Sequence, residues 1–513
     1  MENYKPRIGK NVIETLTLGM YENAHFIYRE YVQNAADQID VAVEEGILGR
    51  KSDGKINILI DDIQKSISIE DNATGIKSSE VLKFLGDVAN SQKDRTKRKG
   101  FRGIGRLGGL GYCDKLIFET TYKGEATKSI LTLDAKQLKR IIEDRAITMD
   151  AATVISVITS FDKEEEGVNE HYFKVKLHNV TNDMLLDEMS VKKYLSMVAP
   201  IPFSKDFPFS EKIHTHFNEK NIKIEEYNVH LSINNEKLYK AYKTELHSKI
   251  GSKPIKFSNI GFFELKNVEN DLIALCWYGI SDRLNFKISN NDIERGIRLR
   301  KDNIGIGSET TLSRVFGESR QNLNYIGELY AVSTSFIPNA RRDYFNDNKT
   351  CQRLEQELKR LLPNLSSWTT DSSVLHNRLE DILKYNEKFK EFNKKVENKK
   401  YTKREEEYHK KKLEKSKDQA IFSKNVILKI KQKSSSDNTL KIIYDNIIGE
   451  MDINIEADRD SKGNTKSSTY PITLSQLNDN EKALVKEIFS IIQQNLSLEK
   501  AEMLKNKIAE HYN

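Results

Sequence analysis

Three groups of residues near the N-terminus have the types and spacing for chemistry on a phosphoanhydride. In YREYVQNAADQID, Glu30, Asn34 and Asp37 recur at four- and three-residue spacing, so a helix projects all three from one face. A carboxylate beside a terminal phosphoryl group can orient and deprotonate an attacking water. An amide oxygen such as that of Asn34 is a hard ligand of the kind magnesium prefers. The second group is Asp71 and Gly75 in IEDNATGI, where a short strand runs into a turn. The third is GFRGIGRLGGLG, with Gly100, Gly103, Gly105, Gly108, Gly109 and Gly111 in twelve residues. Glycines at that density let backbone N–H groups approach an anion with no Cβ in the way. In this order the three compose a candidate site for ATP and magnesium.

These residues need elements to hold them. The first group sits on a helix expected over 21–45. The segments KINILIDD and SISIE alternate apolar residues and read as two strands that deliver Asp71. Between the second and third groups, VLKFLGDVANS reads as helical and KDRTKRKG as a flexible basic loop, together forming a lid. The run LGGLGYC is expected to open a helix whose N-terminus favours phosphates. Downstream, KLIFETTYK, SILTLDA, TVISVITSF and YFKVKLHNV read as strands, with the helix LDAKQLKRIIED among them. Helices over a mixed sheet make an α/β sandwich. Ahead of all this, NVIETLTLGM is a short amphipathic stretch.

The order E-x-x-x-N-x-x-D, then D-x-A/G-x-G, then G-x-x-G-x-G resembles the GHKL ATPases: gyrase, the ninety-kilodalton heat-shock chaperones, histidine kinases and MutL, with the MORC proteins beside them. REYVQNAADQID is especially similar to the chaperone and MORC helices. The resemblance implies a Bergerat-type α/β sandwich over 1–190 that binds ATP with Mg2+. It implies Glu30 as general base, Asn34 as the magnesium ligand and Asp37 near the same face. Asp71 would accept from the adenine amine, Gly75 would permit close approach to the base, and Asn90 and Ser91 would line the nucleotide. Gly100, Gly103 and Gly105 would follow the phosphates. Thr153, opening TVISVITSF, resembles the family's last nucleotide motif, a threonine near the adenine-binding Asp. The chain departs from the pattern at Ala73 and Ala152, where glycines are usual.

Beyond a boundary near 190, YNVHLSIN, GFFELK, LIALCWYGI, GIRLRKDNIGIG and GELYAVSTSFI read as the strands of a second α/β domain to about 370, similar to the family's middle or transducer domain. Its loop FIPNARRDYF resembles one in which an Asn and an Arg three residues later meet the nucleotide. Those positions are Asn339 and Arg342, with Arg341 adjacent. An arginine arriving from a second domain would stabilise charge on the transferring phosphoryl group. The resemblance further implies a homodimer, with the N-terminal segment swapped onto the partner as one alternative to simple packing.

After Pro363 the character changes. Residues 371–424 form a charged helical arm, expected as one long helix or an antiparallel pair. The stretch 375–424 holds 16 Lys/Arg and 10 Asp/Glu, a net +6 that equals that of the entire 513-residue chain. Residues 425–513 read as a small module with strands NVILKIKQ, LKIIYDNI and DINIEAD followed by two helices. Three distant cysteines make neither a disulfide framework nor a zinc site. With no apolar run near 18 residues and no secretory h-region, no membrane association and a cytoplasmic location are the expectation. His25, His376 and His409 lack a phosphoacceptor context, which argues against a histidine kinase. The expected function is an ATP-gated dimeric clamp, MORC- or MutL-like, on DNA (through 375–424) or on a nuclease or helicase partner, including in defence against foreign DNA such as phage. The alternatives are a chaperone acting on protein clients and an ATP-gated scaffold without a catalytic purpose.

Overall fold

The computed structural model describes residues 8–17, 23–87, 105–231, 236–249, 254–281, 287–316, 319–449 and a few positions beyond. In chain order the first elements are α1 (Asn11–Thr17), α2 (Phe26–Glu44), β1 (Lys55–Asp61), β2 (Ser66–Asp71), α3 (Val81–Gly86), β3 (Lys115–Thr121), β4 (Thr127–Asp134), α4 (Ala135–Glu143), α5 (Ala151–Ile158), β5 (Thr159–Glu165), β6 (Tyr172–His178), α6 (Glu188–Val198) and α7 (Ser210–Glu219). Then come β7 (Asn228–Leu231), β8 (Glu236–Lys237), β9 (Glu245–Leu246), β10 (Ile255–Lys266), β11 (Leu272–Ser281), β12 (Gly296–Lys301), β13 (Ile304–Ile306) and β14 (Ile326–Ala331). Three helices follow: α8 (Lys349–Glu397), α9 (Lys403–Ser434) and α10 (Asn438–Ile447). The architecture is multidomain α+β, with a helix-covered mixed sheet at the N-terminal end and long helices at the C-terminal end.

The first sheet has the order β5-β4-β3-β6-β2-β1-β7-β8. Its strands alternate as the sequence does: Ile56, Ile58 and Ile60 of β1 and Ile67, Ile69 and Asp71 of β2 turn inward. On that face lies α2, whose Ile27, Val32, Ala36 and Ile39 are fully buried. The strands β2, β6 and β3 run antiparallel in register, Asp71 opposite Phe173 and Phe173 opposite Thr120. The strand β7 pairs in parallel with β1. The segment YNVHLSIN therefore begins an extension of the first sheet and does not belong to the second, and the sheet continues past residue 190 to Lys237. The second sheet has the order β13-β12-β14-β11-β10-β9. Compact units divide the chain unevenly: 1–254, 260–279 and 287–363 form one, and 255–259, 280–286 and 364–513 the other. The second unit is an antiparallel helical hairpin. Asp381 of α8 accepts from Gln419 (3.0 Å) and Ser423 (2.8 Å) of α9. Near the far end, Trp368 Nε1 donates to Asp437 at 2.7 Å.

Five expected elements differ. TVISVITSF is not one strand: the side chain of Asp150 accepts from Thr153 N at 2.9 Å and caps α5, and β5 begins only at Thr159. LGGLGYC does not open an α-helix, because Gly105–Gly111 is a 3-10 segment that gives way to β3. NVILKIKQ and LKIIYDNI are helical. In the latter the buried residues Leu440, Ile443, Tyr444 and Ile447 follow i, i+3, i+4, i+7, the helical period. Ile453–Glu456 forms no strand and runs beside α8, with Tyr385 Oη donating to Glu456 O at 2.8 Å. The charged arm is the hairpin alternative of the two considered, but α8 starts at Lys349 and carries Pro363 within it. The N-terminal amphipathic segment, for which packing and swapping were the two alternatives, packs on its own chain here, α1 lying against the 3-10 segment and α5.

Candidate functional site

Helix α2 is buried almost all round, and its buried set includes Arg29, Glu30, Gln33 and Asp37. Polar side chains in such a place need partners or a ligand. Asn34 is half-buried. The 3-10 segment docks directly on this helix. Tyr31 Oη donates to Arg106 O at 3.0 Å and accepts from Gly109 N at 3.2 Å. Burial pushes the Tyr31 phenol far above its ordinary range, so it stays a donor. Gly105 lies against the Glu30 carboxylate so closely that a Cβ there would collide with Oε2. Gly108 meets the Phe26 ring in the same way. Gly105 and Gly108 thus admit the loop to α2.

The turn after β2 is equally constrained. Asp71 is buried, and its Oδ1 accepts from Ala73 N at 3.1 Å. Ala73 has no exposed surface, so its methyl takes the space usual for the missing glycine's hydrogen without opening the turn. Gly75 holds φ +67°, and a Cβ would run into the Thr121 carbonyl. Thr120 Oγ1 accepts from Ile76 N and donates to Tyr172 O, both at 2.9 Å, which ties the turn to β3 and β6. His171 Nδ1 lies 2.7 Å from Ala73 O. Thr153 is not here. It sits exposed on α5, which leads into β5 at the sheet's far edge, with β4, β3 and β6 between β5 and β2. The Thr153 hydroxyl donates to Asp150 Oδ2 at 3.0 Å in an exposed position, whereas Asp71 is buried. The residues opposite Asp71 are Phe173 on β6 and Ile56 on β1.

The distant Arg342 does reach the helix. Its Nε is 2.8 Å from Glu30 Oε1, and the paired side chains are 9% and 8% exposed. The contact is ionic, since that oxygen has no aligned hydrogen bond. Arg29 Nε is 3.9 Å from the same oxygen. Arg342 sits at φ +55° in a closed loop: Gly307 N donates to Arg342 O (2.8 Å), Arg342 N to Asn339 O (3.1 Å) and Asn339 N to Tyr344 O (2.9 Å). The guanidinium of Arg314 covers the Tyr344 ring at 3.6 Å. Asn339 turns its amide to Asp343, at 2.5 Å. Asn90, Ser91, Gly100 and Gly103 lie outside the described residues, as do the basic lid residues.

Sequence reasoning missed Arg29, Tyr31, Thr120 and Phe173 as neighbours of the site, and also Tyr194. Burial raises the Tyr194 phenol, and Arg29 and Glu30 are charged groups close enough to act on it. Arg29 and Tyr31 flank Glu30 in sequence and were within reach of a helical-wheel argument. The others depend on strand register and tertiary packing. No helix among the described residues is long and apolar enough to cross a membrane.

Comparison with known proteins places this geometry. Residues 29–167 match the family described as histidine kinase-, DNA gyrase B- and HSP90-like ATPase. The chain is similar to the chaperone protein HtpG of Polaromonas naphthalenivorans, 25% identical over 130 residues, which is 22% of this chain and 21% of that protein. Against HtpG of Buchnera aphidicola it is 28% identical over 140 residues, 24% and 22% of the two chains. With HtpG of Nocardia farcinica the identity is 24% over 207 residues, 37% of this chain and 30% of the other. The chain thus spans about a fifth of the length of the first two relatives. The matched span contains α2, the Asp71–Gly75 turn and the glycine segment, and ends far before Arg342: residues 29–167 are a domain of the GHKL ATPase superfamily.

Proposed function

We propose that the protein hydrolyses Mg-ATP at α2, with Glu30 as general base and Arg342 as the group that couples hydrolysis to the second sheet. The observation that carries this reading is the Glu30–Arg342 ion pair. A carboxylate oxygen held by a guanidinium is not open to an attacking water. Arg342 has to leave Glu30 for another anion before Glu30 can take a proton, and the terminal phosphoryl oxygens supply that anion. The chain fits the nucleotide on two grounds. Gly105 leaves no room beside Glu30 for a side chain, which keeps backbone N–H groups at the reacting end. Asp71 and Gly75 stand at the other end of the α2 face, where a base would lie. Asn34 would hold magnesium through its amide oxygen, and the ion when bound would neutralise phosphate charge. Asp37, Asn339 and the glycines of 100–105 belong to the same proposed site.

The test is Glu30→Ala in the full chain. Phosphate release should fall by at least about 100-fold while Mg-ATP still binds in calorimetry. Turnover that survives the substitution overturns the assignment.

For the purpose of the cycle, we favour a dimeric clamp on a polyanionic partner such as DNA, with a defence role and a nuclease or helicase partner belonging to the same reading. Residues 388–417, the tip of the α8–α9 hairpin, hold 13 Lys/Arg against 6 Asp/Glu. The tip's net +7 exceeds that of the whole chain, and Tyr408 is 64% exposed within it. Binding of a short duplex should weaken steeply between 50 and 200 mM salt and disappear when the tip lysines 410–412 are made Glu. Absence of binding at low salt removes this reading. The similarity to HtpG favours the second one, a chaperone for protein clients; suppression of aggregation without duplex affinity would select it.

A further inference from the structure

Paired residues on neighbouring strands point to one face of a sheet, so the register of β2, β6 and β3 sets Asp71, Phe173 and Thr120 in one row. That row faces α2. Ile69 of β2, Val175 of β6 and Phe118 of β3 share the face and belong to the buried core. Asp71 and Thr120 are themselves buried, at 3% and 0% exposure. Phe173, between them, is only partly covered. It stacks on Phe118 at 5.9 Å with 25° between ring planes and packs on the core from its edge. An aromatic ring left part-open on the inner face, with a carboxylate on one side and a fixed hydroxyl on the other, has the makings of a base platform. The Thr120 hydroxyl is engaged with Ile76 N and Tyr172 O and holds the turn in place.

We infer that Phe173 is the affinity-setting platform of the base subsite, its ring packing against the purine in the register row beside Asp71. This rests on the ATP reading above. An aromatic face holds a purine by contact and stacking without reading its hydrogen-bonding edge. Discrimination between adenine and hypoxanthine then falls to Asp71, and Phe173 sets affinity for the purine as such.

The experiment is calorimetric binding of Mg-ATP, Mg-ITP and inorganic tripolyphosphate to the full chain, wild type, Phe173→Ala, Phe173→Tyr and Asp71→Asn. Phe173→Ala should weaken ATP and ITP alike, on the order of 10-fold, with tripolyphosphate unchanged. Phe173→Tyr should restore both nucleotides. Asp71→Asn should narrow the ATP-to-ITP ratio. Equal loss of tripolyphosphate in Phe173→Ala would mark a structural effect and overturn the inference, as would ATP binding that ignores the substitution while Asp71→Asn still responds. If the wild type binds neither nucleotide, the ATP reading falls and takes this inference with it.

Discussion

Arg342 combines two demands that one residue seldom meets. Its side chain pairs with Glu30 on α2, while its backbone sits at φ +55°, a conformation that L-residues adopt at a cost of about 1–2 kcal/mol. Replacing the side chain therefore separates charge from strain. Arg342→Gly should melt higher than Arg342→Ala, by roughly 1 kcal/mol in denaturant titration, although both lose turnover equally. A reversed order would mean that the loop relaxes freely and does not present its arginine rigidly. Glu30, Asp71 and Gly75 were singled out by the motifs that carry the family resemblance, and the fold buries the Glu30 and Asp71 side chains. Arg342 was legible only through a loop motif, and its partner was not. Thr153 was misplaced because a threonine before β-branched residues looks like a strand start. Asp150 as a helix cap overrides that pattern, and the capping aspartate was visible three residues upstream. Phe173 had no local signal at all: its place opposite Asp71 is a fact of strand register.

At the scale of elements, the second sheet hangs on a buried charge cluster. Arg300 of β12 and Lys240 both reach Glu328 of β14, Lys240 at 2.8 Å, and all three are buried. Arg300 also donates to Met197 O (2.7 Å) and Ala199 O (3.4 Å) at the end of α6. Burial alone would raise the Glu328 carboxyl, but Arg300 and Lys240 outweigh it and hold it down at about 2. Lys240 moves down to about 7, because burial and the neighbouring Arg300 oppose its charge more than Glu328 supports it. Two cations on one carboxylate give an asymmetric expectation. Glu328→Gln strands both cations and should cost about 3–5 kcal/mol, whereas Lys240→Met leaves the Arg300–Glu328 pair intact and should cost under about 1.5 kcal/mol. The Glu328 pKa is depressed on folding, so its stabilisation is present above the ordinary carboxylate range. It should be lost as pH falls from about 4.5 toward 2, read as a dropping Tm. None of this cluster was foreseen, because alternation in GIRLRKDNIGIG says only that Arg298 and Arg300 share a face. The helices of 425–447 were misread for a related reason: short apolar runs such as LKIIYDNI fit periods of 2 and 3.6 alike, and tertiary packing selects between them.

At the scale of the whole molecule, the sheet order changes what counts as the first domain. A fragment ending at residue 190 lacks β7 and so leaves β1 as an unpaired edge. It also loses Tyr227, whose hydroxyl sits 2.8 Å from both Asp40 oxygens on α2. A fragment of 1–240 should bind Mg-ATP yet hydrolyse it at least about 10-fold more slowly than the full chain, since Arg342 is missing. Full turnover by 1–240 would contradict a composite site. The charged arm stood out by composition and many strands by their alternation, whereas the division into a first and a second domain followed from the family resemblance. The crossing of the 190 boundary was not, because a strand that returns in parallel to β1 from 167 residues downstream leaves no trace in local pattern.

That late strand also sets an order of events during synthesis. Strands β1 to β6 are complete once His178 has emerged, but the edge beside β1 stays open until Leu231 follows. At ribosomal rates of about 5–20 residues per second, the nascent sheet waits several seconds with an apolar-lined edge exposed. A newborn chain in that interval is a target for holding chaperones and for pairing with a second nascent copy.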